Sequence, residues 1–176
     1  ASVAMAQEMY ERSVQVLEDA ILSLDRALRA RARQLLAVHA DRLDSLAIDL
    51  DRLLRRDMLD AQALRAATGQ WSAALDELDR LSSDLAAGGL RTFVEVRSAA
   101  ARGVLDEVNK ALDAQDSLRA RTLMERTGTQ GRELAQGIRR NLEAGQERED
   151  DVGQEAQSLV EALRALEDQQ RTLMEQ

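Results

Sequence analysis

From Tyr10 the apolar residues of this chain recur at Tyr10, Val14, Leu17, Ile21, Leu24, Leu28, Leu35 and Val38, a four-three alternation interrupted only at Arg31. That spacing holds one narrow stripe along a helix and predicts a coiled-coil seam. The register then slips by one, to Leu36, His39, Leu43, Leu46, Leu50 and Leu53, as an eleven-residue insertion between heptads produces without breaking the helix. The same spacing runs on through Asp57 and Asp60 to Leu64, Ala67, Trp71, Ala74, Leu78, Leu81 and Leu85. Two carboxylates at seam positions admit two explanations. In the first, the chain turns: Arg55 and Arg56 suit a helix C-terminus, Asp60 suits an N-cap, and Leu59 with Leu64 is spaced as a hydrophobic staple. In the second, a single helix of about 85 residues extends to about 130 Å, and the aspartates meet Arg119 and Arg121 on the opposite arm.

The chain has no proline, and Gly88-Gly89 stands at its midpoint, where a helix C-cap in left-handed conformation is expected. Beyond it Phe93, Val96, Ala100, Val104, Val108, Ala111 and Leu118 form a weaker stripe. The pattern lapses at Thr127-Gly128-Thr129-Gln130-Gly131, where Thr127 and Gln130 are spaced as a capping box and a second turn or joint is expected. Leu134, Ile138 and Leu142 resume it, and Val152, Ala156, Leu159, Leu163, Leu166 and Leu173 make a second strong seam. A hairpin centred on the glycines sets residue i opposite about 177 − i. Ile21 then faces Ala156, Val14 faces Leu163, Leu43 faces Leu134, and the basic run Arg26 to Arg33 faces Glu147, Glu149, Asp150 and Asp151.

The expected fold is therefore all-α: one elongated domain spanning 1–176, an antiparallel helical bundle with coiled-coil character, its central turn at Gly88-Gly89. The helices are expected at about 3–57, 60–87, 90–126 and 129–176. The cap residues favour fold-back at 57–60 over the long two-helix hairpin, with the terminal segments pairing as a stalk. Charged residues at 32% and aromatics at 2% suit long helices, and leave Leu, Ile, Val, Met and Ala to form the core. A net charge of −8 disfavours nucleic acid as a partner. No apolar run is long enough to span a membrane, so no membrane insertion is expected within this segment. Ala1 at the start and an uncapped pattern at Leu173-Met174-Glu175-Gln176 mark an expected piece of a longer protein. The absence of cysteine excludes disulfides and thiolate metal sites, and fits a cytoplasmic or extracytoplasmic location equally.

Candidate chemistry is sparse. His39, the only histidine, has Leu36 rather than Glu three residues before it, which removes the Glu-x-x-His element of di-iron bundles. Its seam position predicts a buried ring hydrogen-bonded across an interface, with pH sensing as the sharper alternative. Trp71 falls near Gly103 and Asp106 under the 177 rule, so a ring packed on Gly103 is expected; a ligand pocket lined by Trp71, Arg102 and Asp106 is the sharper alternative. Asp57 and Asp60 share a helix face, as an acid-base pair would, but capping or arginine pairing is the plainer reading. Gly137, Gly145 and Gly153 recur every eight residues, and close helix contact is preferred over a softened helix as their reason. With no nucleophile set, metal cluster or cofactor loop, no catalysis, cofactor or metal is expected.

Two resemblances and one mismatch follow from these residues. Asp150 and Gln154, four apart on one helix, resemble the Asp and Gln pair of the helical chemotaxis phosphatase, and an N-cap at Asp150 is the preferred account. Arg80-Leu81 does not reproduce the tip signature of the helical hairpins of periplasmic membrane-fusion proteins. Length, long outer helices, a short inner hairpin and uncapped ends together resemble the four-helix sensor domains of bacterial chemoreceptors and histidine kinases. That likeness implies an extracytoplasmic signalling module with both ends at the membrane, in which ligand binding shifts one helix against another. The competing class is a dimeric coiled-coil spacer or scaffold in the cytoplasm. Either class implies a second copy of the chain or another helical protein as partner.

Overall fold

The computed structural model describes the backbone of residues 2–56, 60–85 and 88–174, and side chains within those ranges except at 147, 149–153 and 165–174. Four helices are present among the described residues: α1 (Ser2–Leu54), α2 (Ala61–Ser83), α3 (Gly89–Asp113) and α4 (Ser117–Met174). No strand occurs among the described residues, and the fold is all-α. The chain divides into two compact units, Ala1–Ile138 and Arg139–Gln176.

In the first unit the chain turns between α1 and α2, as the cap residues predict. Asp60 has extended backbone, φ −81° and ψ 125°, and its carboxylate accepts the Gln62 N–H at 3.0 Å. That bond satisfies one of the free donors in the first turn of a helix. Asp57 and Leu59, and with them the staple and the acid-base pair, lie outside the described residues. The alternative of one helix through this point does not occur: Asp60 caps α2, and Arg121 pairs with Glu125 inside α4 at 3.5 Å. The return of α2 along α1 places the Ala74 carbonyl 2.9 Å from His39 Nε2.

The central glycines differ from expectation. Helix α2 already ends at Ser83, with Asp84 as its C-cap in right-handed conformation. Gly88 is the N-cap of α3, with φ 170° and ψ −176°, which is extended backbone. No described glycine occupies the left-handed region. The pair thus starts α3 rather than closing α2 with a left-handed cap.

The turn between α3 and α4 also lies elsewhere than expected. It occupies Ala114, Gln115 and Asp116, and α4 passes unbroken through Thr127–Gly131. The Asp116 N–H donates to Ala111 O at 2.9 Å and the Gln115 N–H to Leu112 O at 3.1 Å, with Gln115 at φ 57°. These two bonds make a Schellman closure, with glutamine in the left-handed position where glycine is usual. Asp116 then turns its carboxylate to the Arg119 N–H at 3.1 Å, so one residue closes α3 and caps α4. Inside α4, the Thr127 hydroxyl donates to Leu123 O at 3.0 Å, which replaces the expected capping box by an intrahelical bond.

The core of this unit is built from one stripe of each helix. On α1 it begins at Leu36 and continues through His39, Leu43, Ala47, Leu50 and Leu54. Leu64, Trp71, Leu75 and Leu78 enter from α2, and Val94, Ala101, Val104, Leu105 and Val108 from α3. Ala120, Met124, Leu134 and Ile138 complete it from α4. Phe93 is only half-buried and Val96 and Ala100 are exposed, so the expected stripe is displaced in the first half of α3, and Leu118, expected on the same stripe, is exposed on α4. The reason is Ser98, fully buried on the true core face, where a hydroxyl interrupts the apolar pattern. Before Leu36, the seam of α1 from Tyr10 to Leu35 is exposed.

The second unit continues α4. Leu159, Val160 and Leu163 are exposed there. The helix is continuous through residue 150, so Asp150 is not an N-cap; its side chain, like those of Glu147, Glu149 and Asp151, lies outside those described.

Candidate functional site

Arginine–aspartate ion pairs join the helices. On α2, Asp76 and Asp79 stand three residues apart and therefore share a face. Arg102 of α3 spans both: Nη1 lies 2.7 Å from Asp76 Oδ1 and Nη2 2.5 Å from Asp79 Oδ2. The planar guanidinium fork suits such a two-point contact better than an ammonium would. Partial burial alone would lower the Arg102 pKa. The hydrogen bond to Asp76 and the charges of Asp79 and Asp76 outweigh it, and the group is held above its ordinary value. Farther along the same helix pair, Arg65 meets Asp113 at 2.8 Å, while Arg132 of α4 pairs with Asp51 of α1.

Beside Arg102 lies an open groove of about 260 Å³ between α2 and α3, lined by Asp79, Ser82, Glu95, Ala99 and Arg102. Its polar groups already have partners. Ser82 donates its hydroxyl to Asp79 O at 2.9 Å, and Glu95 accepts from Arg91 Nε at 2.8 Å.

Of the three residues singled out from sequence as a ligand pocket, only Arg102 lines this groove. Trp71 is 2% exposed in the core, and Asp106 is exposed on α3. The ring of Trp71 packs on a glycine, as expected, but on Gly131 of α4: a Cβ there would fall far inside contact distance of ring atoms Cη2 and Cζ3. A Cβ on Gly103 would meet nothing within 4 Å. Gly137 repeats the arrangement against Phe93, whose own ring is covered by the Arg97 guanidinium 5.9 Å from its centroid. Gly145 has no neighbour within 4 Å of a built Cβ, so the eight-residue glycine spacing does not reflect one continuous contact. Gly153 lies outside the described side chains.

His39 is 6% exposed and donates from Nε2 to the Ala74 carbonyl, an interhelical bond of the expected kind. Among the described residues no group of three or more His, Asp or Glu side chains is placed to hold a metal, and no helix is long and apolar enough to cross a membrane. Among the described residues, two buried side-chain atoms, Ser98 Oγ and Gln130 Oε1, have no hydrogen-bond partner. Neither was legible in the apolar spacing, which treats a buried serine and an exposed one alike. Comparison with family models, with characterised proteins and with solved structures returned no match to this chain.

Proposed function

We propose that this chain is a non-catalytic helical interaction and signalling module, a four-helix bundle of the sensor type belonging to a larger protein. The observation that carries the reading is the continuity of α1. One helix, Ser2–Leu54, has an exposed stripe up to Leu35 and a packed one from Leu36. A helix that is rigid across such a boundary transmits a displacement of its packed half to residues outside the core. The groove at Arg102 supplies a place where a small ligand could bias that packing, because its ion pairs join two helices by exchangeable contacts.

The test is a thermal-shift survey of small carboxylates, amino acids and amines, followed by hydrogen exchange on any compound that stabilises. The expected result is a compound whose effect is lost in Arg102→Met and which alters exchange in residues 2–35. Stabilisation indifferent to Arg102, or none across the survey, overturns the ligand-sensing reading. The complete gene provides a second check: a sensor expects an apolar membrane span on each side of this segment and an extracytoplasmic location. A dimeric spacer or scaffold is the second reading, favoured by the long exposed seam on α1; it expects further heptads or another folded domain at those flanks.

A further inference from the structure

The exposed seam of α1 runs from Tyr10 to Val38, and its eight apolar side chains are between 36 and 71% exposed. Over 28 residues it extends about 42 Å along the helix. Leu36, two residues from Val38, is fully buried, so this seam and the core stripe occupy different faces of one helix. We propose that the seam is the interface of a parallel, in-register homodimer, with α1 of a second copy as its occupant.

Two features select that occupant. Numbered as heptads, the seam has Val14, Ile21, Leu28 and Leu35 at a and Tyr10, Leu17, Leu24, Arg31 and Val38 at d, so its stretch from Val14 to Leu24 carries β-branched residues at a and leucine at d. β-branched residues at a with leucine at d favour two parallel strands. The flanking charges select the same orientation. Glu11, Glu18 and Asp25 occupy e, while Ser13, Ala20 and Ala27 occupy g. Parallel strands set g against e of the other copy, so each carboxylate faces a neutral side chain. Antiparallel strands set e against e, which brings Glu18 against Asp25 of the second copy, and like charges so placed are unfavourable. Asp25 already pairs with Arg29 on its own helix at 2.8 Å, which leaves Glu11 and Glu18 as the main source of that discrimination. Arg31, at d, is the one charged residue within the seam and weakens it.

The pairing would serve a sensor and a spacer alike; its failure leaves the sensor reading standing and removes the dimeric spacer. Sedimentation equilibrium on the full chain tests it, with Trp71 fluorescence and far-UV circular dichroism confirming that each variant keeps its core. Wild type is expected to be a dimer at micromolar concentration. Ile21→Asp weakens association at least 100-fold, and Arg31→Leu strengthens it at least tenfold. Because the chain has no cysteine, Gln7→Cys, at an a position, reports orientation: rapid disulfide-linked dimer on mild oxidation is expected. A monomer at 100 μM, meaning that another protein or the chain's own second unit covers the seam, overturns the proposal. A dimer indifferent to Ile21→Asp, or one that does not cross-link through Gln7→Cys, overturns it equally.

Discussion

Replacing Gly131 by alanine sets two well-characterised effects against each other, and the structure decides which wins. In a helix interior alanine is favoured over glycine by about 0.8–1.0 kcal/mol. Gly69 and Gly103 are exposed in helices, with nothing within 4 Å of a built Cβ. Alanine at either should therefore stabilise by about that amount. At Gly131 the same methyl group meets the Trp71 ring, which is rigid and 2% exposed. The ring cannot yield as the end of a flexible side chain would, and overpacking of this kind costs about 1–3 kcal/mol, more if the indole is displaced from its site. After the helix-propensity gain, Gly131→Ala should destabilise by up to about 2 kcal/mol. The two classes of glycine thus differ in sign and are separated by about 1–3 kcal/mol. Gly128, where a Cβ would lie 3.4 Å from Leu50 Cδ2, should fall between them.

Urea unfolding followed by circular dichroism measures these differences, and Trp71, the only tryptophan, reports the core by fluorescence. The decisive experiment is the double-mutant cycle. In a Trp71→Leu background the obstruction is gone, so Gly131→Ala should become neutral or stabilising, with a coupling energy of about 2 kcal/mol. If Gly131→Ala stabilises the wild-type chain as much as Gly103→Ala does, the packing of α2 on α4 described here is wrong.

Two further substitutions test the local reasoning. Gln115 occupies the left-handed region at φ 57°, a conformation that costs a side-chain-bearing residue about 1–2 kcal/mol. Gln115→Gly should raise the urea midpoint by the equivalent of about 1 kcal/mol, whereas the β-branched Gln115→Val should lower it. Ser98 is fully buried on α3 with an unpartnered hydroxyl, so Ser98→Ala should stabilise by about 1 kcal/mol through removal of that desolvation cost. A loss of stability in Ser98→Ala would refute the reading of that hydroxyl as unpartnered.

What could be read from the sequence depended on whether a feature was local or required knowledge of the facing helix. The Asp60 cap and the seam from Leu36 to Leu50 are local, because the first needs a side chain two residues from an amide and the second needs only helical spacing. The turn at Ala114–Asp116 is local too, yet it carries neither glycine nor proline. It is closed by a glutamine in a conformation that composition does not announce. The segment Thr127–Gly131 gave the opposite error. Its residues are those of a loop, but Thr127, Gly128 and Gly131 are buried in an unbroken helix. Gly128 and Gly131 are small because Leu50 and Trp71 approach them.

The candidate site shows the same limit from another side. The 177 rule places Arg102 opposite residue 75, and its partners are indeed Asp76 and Asp79. For the α2–α3 hairpin the rule therefore works, and the salt bridges were within its reach. It failed for Trp71 because a hairpin rule gives each residue one opposite number, whereas α2 also touches α4. Thr68 lies 3.8 Å from the Met124 sulfur and Trp71 lies against Gly131, so both numbers rise together and the two helices run parallel. That second neighbour turns the glycine spacing of α4 from an apparent weakness into a fit. A helix face of Gly, Ser and Thr is ambiguous by itself, and it becomes interpretable only when the large residue opposite is known.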